Sequence, residues 1–303
     1  MKVVVTGSSG LIGSALVPYL SAGGHEVTRL SRPSTNPGTD QDSIQWEPKE
    51  RLLDIKDFED VDAVVHLAGE NLGSRRWSSG KKKRIRDSRV HGTRFLSESL
   101  ALAPHPPKVL VSASAIGYYG DRGAKELSED SGPGSGFLSK VCLDWEGATK
   151  PARKAGTRVV NLRIGVVLSG AGGVLAELLP IFRAGAGGTV GSGKQYVSWI
   201  AIDDLLSVIR FALGNDRIEG PINSVAPNPV TNAELTKTLG RVLRRPTYIK
   251  IPALAARVRY GEAADELLLA SARVIPARLL ASDFDFGYPT LEETLRHVLG
   301  RKS

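Results

Sequence analysis

The sequence predicts an α/β fold built on a doubly wound parallel sheet, and three observations support this prediction. Short apolar runs bounded by glycine, proline or polar turns alternate with segments of helical spacing. The first run leads through a glycine-rich turn directly into a helical segment. The chain of 303 residues, 41% hydrophobic and 24% charged, is long enough to bury a core and has an ordinary globular composition. Such alternation is typical of parallel strands joined by right-handed crossovers.

The predicted strands are short apolar runs at residues 3–6, 26–30, 63–67, 108–112 and 158–162. Helical spacing predicts helices between them at 11–20, 84–102 and 138–155. In the last of these helices, Leu138, Val141, Cys142, Trp145 and Ala148 recur on one face. We therefore expect strands and helices to alternate through the first half of the chain.

A glycine-rich stretch at residues 165–193 interrupts this alternation and surrounds one apolar segment at 174–182. Strand-like runs at 197–202 and 221–225 then predict a return to the sheet, before helices near 232–243 and 291–299. We expect a sheet domain over residues 1–165, completed by about 197–225. A smaller C-terminal substrate-binding lobe is expected to comprise 166–196 and 226–303.

Composition excludes several classes of protein. No window approaches the roughly 18 to 20 uninterrupted apolar residues of a membrane span, so we expect no membrane insertion. The lone Cys142 excludes a disulfide framework and a cysteine-based zinc cluster, and it favours a reducing, cytoplasmic location. Because the first predicted strand begins at once, we expect no signal or transit peptide ahead of it. His66 and His91 have no metal-ligand partners in the sequence, and we expect no metal.

The formal net charge of +8 favours anionic partners in general. The densest basic run spans residues 75–86 and leads into a predicted helix. A nucleic-acid surface is one interpretation of this run. We favour a solvated helix entrance and expect no nucleic-acid partner, because no helix-turn-helix, zinc or stacking-aromatic motif accompanies the run.

The turn after the first strand has the pattern of a phosphate-binding loop. Its sequence is TGSSGLIG over residues 6–13, and a helical segment follows. Glycines three apart let the backbone turn tightly and approach a pyrophosphate, and the helix N-terminus offers free N–H groups and a positive dipole end. The loop predicts a Rossmann-type fold in which a dinucleotide is bound by Gly7, Ser9, Gly10, Leu11, Ile12 and Gly13.

The end of the second strand predicts which dinucleotide is preferred. NAD enzymes of this topology carry an acidic residue there, which binds the adenosine ribose hydroxyls. This chain has Ser31 and Arg32 instead. A hydroxyl and a guanidinium suit a 2′-phosphate through charge-assisted hydrogen bonds, so the expected cofactor is NADP. The alternative is that Arg32 is an ordinary surface arginine.

Motifs along nearly the whole chain carry a family resemblance: TGSSGLIG at 6–13, HLAGEN at 66–71, DSRVHGT at 87–93, SASAIGYYG at 112–120, WE at 145–146, LRIGVVL at 162–168, SWIAIDDL at 198–205, APNPVTNAE at 226–234 and RVIP at 273–276. With these motifs the chain resembles the extended short-chain dehydrogenase/reductases. Within that group it resembles an atypical NAD(P)-dependent epimerase/dehydratase-like family of NADP-binding proteins, some members of which are labelled cell-division inhibitors.

The resemblance implies roles for residues beyond the glycine loop. Leu67, Ala68 and Gly69 would pass the adenosine and ribose, while residues 164–167, ending at Val167, would border the nicotinamide. At Arg89 the family pattern has asparagine. We interpret Arg89 as a second phosphate or ribose contact, with an ion pair to Glu70 or Asp87 as the alternative.

The resemblance also implies catalysis by a Tyr-x-x-x-Lys pair, and this chain departs from that pattern. Lys140 is present, but Gly136 stands four residues before it. Aligning on Glu146 instead puts Leu138 and Cys142 at the two positions.

The remaining candidates for catalysis are Ser114, Tyr118, Tyr119 and Lys140. The alternative for the tyrosines is that they pack over the cofactor, and for Cys142 that it belongs to the core.

The function expected from these observations is that of an NADP-dependent oxidoreductase or epimerase-like enzyme. Its small-molecule substrate would be a nucleotide sugar or a small carbonyl compound. The alternative is a catalytically weak NADP(H)-binding regulatory protein, linked to cell division through its partners.

Overall fold

The computed structural model describes residues 1–32, 43–73 and 76–301. The strands within them are β1 (Lys2–Thr6), β2 (Glu26–Ser31), β3 (Ser43–Gln45), β4 (Ala63–His66), β5 (Val109–Ala115), β6 (Glu126–Leu127), β7 (Arg158–Ile164), β8 (Val166–Ser169), β9 (Gly188–Val190), β10 (Tyr196–Val197), β11 (Trp199–Ala201), β12 (Gly220–Ser224), β13 (Val230–Thr231), β14 (Ile249–Ile251) and β15 (Arg273–Val274).

The α-helices of the same described residues are α1 (Leu11–Ala22), α2 (Ser79–Ala101), α3 (Phe137–Gly147), α4 (Lys150–Lys154), α5 (Gly173–Arg183), α6 (Ile202–Gly214), α7 (Asn232–Leu243), α8 (Ala253–Tyr260), α9 (Glu262–Ala264), α10 (Ala277–Leu280) and α11 (Leu291–Val298). Short 3₁₀ turns lie at Ile55–Phe58 and Ile116–Tyr119, and a π-helical turn lies at Asp265–Leu269. None of the helices that the structure describes is long and apolar enough to cross a membrane.

A parallel sheet of seven strands forms the centre of the described structure, in the order β12-β7-β5-β4-β1-β2-β3. From β1 the chain moves outward through β2 to β3, and it then returns to the other side of β1 and continues outward from β4. The strand order therefore reverses between β1 and β4, where Thr6 and His66 are paired in register. In open parallel sheets, a binding crevice forms outside the strands' carboxyl ends at such a point.

Helices cover both faces of this sheet, as the apolar character of its strands requires. Val3 and Val5 of β1 pack in one core cluster with Leu16 of α1, whereas Val4 packs in a second cluster with Leu96 of α2. Successive side chains of a strand point to opposite faces, so each face has its own core. The predicted α/β class, with its doubly wound parallel sheet, is confirmed.

The run predicted at 197–202 does not return to the seven-stranded sheet, and this expectation is wrong. Its strand β11 pairs in parallel with β8, and Val197 of β10 pairs with β13. Gly165 lies between β7 and β8, and a Cβ there would come within 2.7 Å of the Ser198 carbonyl oxygen. The chain therefore leaves the central sheet at this glycine, and β11 follows β8. The other predicted run, at 221–225, does join the sheet as β12 beside β7.

The predicted helix at 138–155 is two helices, α3 and α4, rather than one. Pro151 lies in the first turn of α4 and has no N–H with which to continue the hydrogen-bond ladder of α3. Helix α2 begins at Ser79, five residues before the predicted start, because the Ser78 hydroxyl accepts the Lys81 N–H at 3.1 Å and caps it. Strand β3 at the sheet edge was not predicted.

Candidate functional site

The glycine loop packs so tightly that side chains would block it. Gly7 has a φ of +67°, and a Cβ there would lie 2.8 Å from the backbone of Leu67 and Ala68. A Cβ on Gly13 would lie 2.2 Å from the Gly7 carbonyl oxygen. Gly10 is the N-cap of α1 and has no side chain with which to cap the helix. The first N–H groups of α1 are therefore left to bind an anion, which is the cradle that a pyrophosphate requires.

A buried hydrogen-bond network positions the neighbouring loop. The Thr6 hydroxyl accepts the N–H groups of Leu67 and Ala68 at 3.1 and 3.2 Å. The same hydroxyl lies 2.7 Å from Nδ1 of His66, whose Nε2 lies 2.9 Å from the Thr93 hydroxyl. Because burial lowers the pKa of His66 to about 4, the ring is neutral and fits this network. The sequence analysis missed this role of His66.

A cleft of about 930 Å³ extends from the glycine loop along the carboxyl ends of the strands. It brings together most of the residues predicted from the sequence, namely Gly7, Gly10, Leu11, Ile12, Gly13, Leu67, Gly69, Arg89, Ser114 and Val167. Ser9 is exposed in the loop beside it, and Ala68 is half-buried in the neighbouring loop.

Ser31 and Arg32 lie at the end of β2. The Ser31 hydroxyl donates to the Ser43 hydroxyl at 3.1 Å, and Arg32 is exposed. This is where the adenosine end of a dinucleotide lies in folds of this topology. The two side chains thus lie at the carboxyl end of the strand next to β1, and their contact with a 2′-phosphate stays a prediction.

Arg89 lies against the cleft and is held by carbonyl groups. Its Nη1 donates to the carbonyl oxygens of Glu70 and Ile85 at 3.0 and 3.3 Å, and its guanidinium lies 5.1 Å from the Trp145 ring centroid. Burial lowers its pKa. Among the described residues Arg89 makes no ion pair within 4 Å with the carboxylates of the alternative interpretation, since Glu70 binds Lys81 at 2.8 Å. The Asp87 carboxylate is paired with Lys83 and His91.

A buried charge network lies behind Ser114. The Ser114 hydroxyl donates to Oε1 of Glu146 at 2.8 Å, and the same carboxylate accepts two bonds from Arg163, at 2.8 and 2.9 Å. Arg163 is 3% exposed, so the pair is desolvated and each charge depends on the other. Glu146 and Arg163 stood in recognised motifs, but nothing in the sequence showed that they meet.

The structure places Tyr119 in the core rather than in the cleft. Its hydroxyl donates to Oδ1 of Asn223 at 2.7 Å and accepts from Nη1 of Arg163 at 2.9 Å. Burial raises the pKa of this phenol to about 12. Tyr118 is also buried, with its ring 3.6 Å from the Arg163 guanidinium. The two rings thus pack on Arg163, and neither tyrosine is among the residues that line the cleft.

Helix α3 presents an apolar face to the cleft. Leu138, Val141, Cys142 and Trp145 line it, as the predicted helical face requires. Lys140 is exposed, and at 100° per residue it lies opposite Leu138 on the helix. A Tyr-x-x-x-Lys pair is therefore absent from the described cleft wall. Burial raises the pKa of the Cys142 thiol to about 12, which makes it an inert core side chain.

Most of the described part of the basic run is paired with carboxylates, which favours a charged helix entrance, while Arg76 donates to the Val258 carbonyl oxygen. Arg75 lies outside the described residues. The pairs are Lys81 and Arg84 with Glu70, Lys82 with Glu262, Lys83 with Asp87, and Arg86 with Asp144. Among the described residues, no group of three or more His, Cys, Asp or Glu side chains could hold a metal ion.

A seven-stranded parallel sheet with a glycine loop at its reversal point defines a Rossmann-like protein of the short-chain dehydrogenase/reductase class. Residues 3–225 match the model of the NAD dependent epimerase/dehydratase family. The chain belongs to that family, which confirms the resemblance. Residues 251–298 match a second model, described as a domain of unknown function, DUF1731.

Several known proteins are similar over the whole length of the chain. It is 43% identical over 299 residues to the epimerase family protein Mb2239 of Mycobacterium bovis, covering 99% of this chain and 98% of that protein. The crystal structure of human epimerase family protein SDR39U1 with NADPH matches with a TM-score of 0.88 at 35% identity, covering 99% of both chains. That of the nucleoside-diphosphate sugar epimerase from Corynebacterium glutamicum matches with a TM-score of 0.80 at 40% identity, covering 99% of this chain and 58% of that one.

Proposed function

We propose that the chain is an NADP(H)-dependent enzyme of the extended short-chain dehydrogenase type that acts on a carbonyl or hydroxyl group. The observation that carries this proposal is the continuous cleft from the glycine loop to Ser114. It joins an anion-binding helix N-terminus to a polar side chain at the end of β5. The NADPH in the similar human structure supports the choice of cofactor.

The glycine loop would hold the pyrophosphate, Ser31 and Arg32 the 2′-phosphate, and Val167 would border the nicotinamide. When bound, NADPH supplies a hydride and NADP⁺ accepts one. Because the Ser114 hydroxyl donates its proton to Glu146, its lone pairs are free to accept a hydrogen bond from a substrate hydroxyl. Ser114 thus orients a substrate hydroxyl, and its own hydrogen, turned away from Glu146, would be donated to a substrate carbonyl oxygen.

A proton leaving a substrate hydroxyl has a path from Ser114 to Oε1 of Glu146, whose carboxylate also accepts two hydrogen bonds from Arg163. Tyr119 and Lys140 do not offer such a path, since the first is bound in the core and the second faces solvent. We propose that catalysis proceeds without the family's tyrosine–lysine pair.

The test is a screen of the purified chain with NADPH and carbonyl compounds, and with NADP⁺ and nucleotide sugars. Product analysis is needed beside absorbance, because an epimerase regenerates its cofactor. We expect turnover that Ser114→Ala reduces by about 10²- to 10⁴-fold.

The absence of the tyrosine–lysine pair favours a second candidate, a regulatory protein that binds NADP(H) without turnover. Tight NADPH binding with no product in any assay would favour that candidate and contradict the enzyme.

A further inference from the structure

Three consecutive leucines from the C-terminal domain of unknown function line the same cleft as the glycine loop. We call Leu267, Leu268 and Leu269 the leucine wall. They belong to the π-helical turn Asp265–Leu269, none of whose residues is buried, and Leu267 remains 42% exposed. Covering exposed leucine side chains with an apolar group removes apolar surface from water, which is favourable. A bound apolar group would therefore be stabilised by these leucines.

The leucine wall is held in place by polar contacts on either side. The Glu266 carboxylate accepts the N–H groups of Phe137 and Leu138 at 2.7 and 3.2 Å and so caps α3. The Gln195 side chain donates to the Leu268 carbonyl oxygen at 3.1 Å. These contacts fix the turn relative to the wall that α3 forms. These hydrogen bonds therefore hold the three leucines in position at the cleft.

The α3 side of the cleft is apolar as well. Leu138, Val141 and Trp145 line the cleft from α3, and Ile116 lines it after β5. Ser114, which would orient the substrate oxygen, lines the same cleft. A substrate placed at Ser114 would thus meet aliphatic surface from α3 and from the leucine wall.

The charges near the leucine wall are unsuited to a diphosphate. Among the described residues, the charged groups that line this end are Asp121, Arg257, Asp265 and Glu266. Arg257 is bound to Asp265 at 2.8 Å, so the only guanidinium among them is neutralised. A diphosphate needs cationic partners, and the two carboxylates without a cation, Asp121 and Glu266, would repel it.

We propose that the leucine wall selects a neutral substrate with an apolar body, a carbonyl compound or its alcohol, instead of a nucleotide sugar. This inference rests on the proposed function, since it places the reacting oxygen at Ser114. It gives the domain of unknown function a role in substrate specificity.

The test measures binding to the NADP⁺-saturated chain, in which no hydride is available and no turnover occurs. The ligands are 2-decanone, 2-hexanone and UDP-glucose, and calorimetry measures the binding of each. We expect 2-decanone to bind up to about 250-fold more tightly than 2-hexanone, because each of its four additional methylenes changes the dissociation constant about fourfold when buried. UDP-glucose should not compete with 2-decanone.

The variant Leu267→Ser should weaken 2-decanone binding by about tenfold and leave the dissociation constant of NADPH unchanged. The matched control is Leu254→Ser, which alters a leucine of the same domain that is 70% exposed and is not among the residues lining the cleft. It should change neither constant.

Tighter binding of UDP-glucose than of 2-decanone, equal binding of the two ketones, or equal effects of the two leucine variants would overturn the role of the leucine wall. A wild-type chain that binds NADPH but neither ketone would contradict this inference alone. A wild-type chain that does not bind NADPH would contradict the proposed function and this inference with it.

Discussion

The buried His66 side chain helps to hold the loop after β4, at Leu67 and Ala68, against the sheet. The Thr6 hydroxyl already accepts two N–H groups, from Leu67 and Ala68, so its own hydrogen is directed to Nδ1 of His66. A protonated imidazole would carry hydrogen on both ring nitrogens and lose that bond. The folded chain therefore requires the neutral ring.

The stability of the chain should accordingly depend on pH through His66. Its pKa is about 4 in the folded chain and near 6.5 when unfolded, so between these values the unfolded chain binds more protons. This contribution is fully present above pH 6.5 and is lost as the pH falls toward 4, by up to about 3 kcal/mol. Urea titrations at several pH values would measure it.

In those titrations His66→Gln should reduce the loss of the free energy of unfolding at low pH, because the glutamine amide does not titrate. His105→Gln, at an exposed histidine, should retain the wild-type profile. Parallel profiles for the wild type and His66→Gln would show that His66 is not responsible.

Arg89 is the residue at which this chain departs from the family's asparagine. Its guanidinium lies beside Gly69 in the cleft. We expect Arg89→Ala to weaken NADPH binding by about tenfold or more, which is the order of one charge-assisted hydrogen bond. Fluorescence titration would measure this, with Arg94→Ala as the control at an exposed arginine of the same helix. Equal dissociation constants for the two variants would contradict a cofactor contact.

At the scale of elements, α3 depends on a carboxylate that is distant in the sequence. Glu266 caps its N-terminus, and Gly136 just before the helix has a φ of +106°. A Cβ on Gly136 would lie 2.5 Å from Oε1 of Glu266. Gly136 therefore has two roles. It adopts the positive φ before α3, and it leaves room for the Glu266 carboxylate of the π-helical turn.

We expect Gly136→Ala to lower the free energy of unfolding by about 1 to 3 kcal/mol, through backbone strain and displacement of the Glu266 cap. The matched control is Gly132→Ala, because a Cβ there meets nothing within 4 Å and its φ is not positive. That change should stay within about 0.5 kcal/mol. Chemical denaturation of both variants would decide, and equal stabilities would refute the role of Gly136.

Across the whole molecule, the sequence predicted best those features that depend on residues close together in the chain. Apolar runs and the glycine loop predicted six of the seven strands of the sheet, all but β3, and the residues at its reversal point, because each depends on neighbours in the chain. The Rossmann-type class could therefore be predicted before the structure was known.

Contacts between distant segments could not be predicted in this way. Glu146 meets Arg163 only because β5, β7 and α3 pack together, and Glu266 reaches α3 across 129 positions. Tyr119 was a catalytic candidate because the sequence does not reveal that Asn223 and Arg163 bind its hydroxyl in the folded chain. The division into a dinucleotide-binding domain and a substrate-binding lobe stays a prediction.

We expect this cleft to prefer NADP(H) to NAD(H), and the ratio of the NADH and NADPH dissociation constants is the most direct measure of that claim. A charge-assisted contact between Arg32 and the 2′-phosphate contributes roughly 1.5 to 3 kcal/mol, so NADPH should bind about 10- to 150-fold more tightly. Arg32→Ala should remove most of this preference, while Arg29→Ala, at an exposed arginine of the same strand, should retain it. Equal dissociation constants for NADH and NADPH in the wild-type chain would contradict the claim.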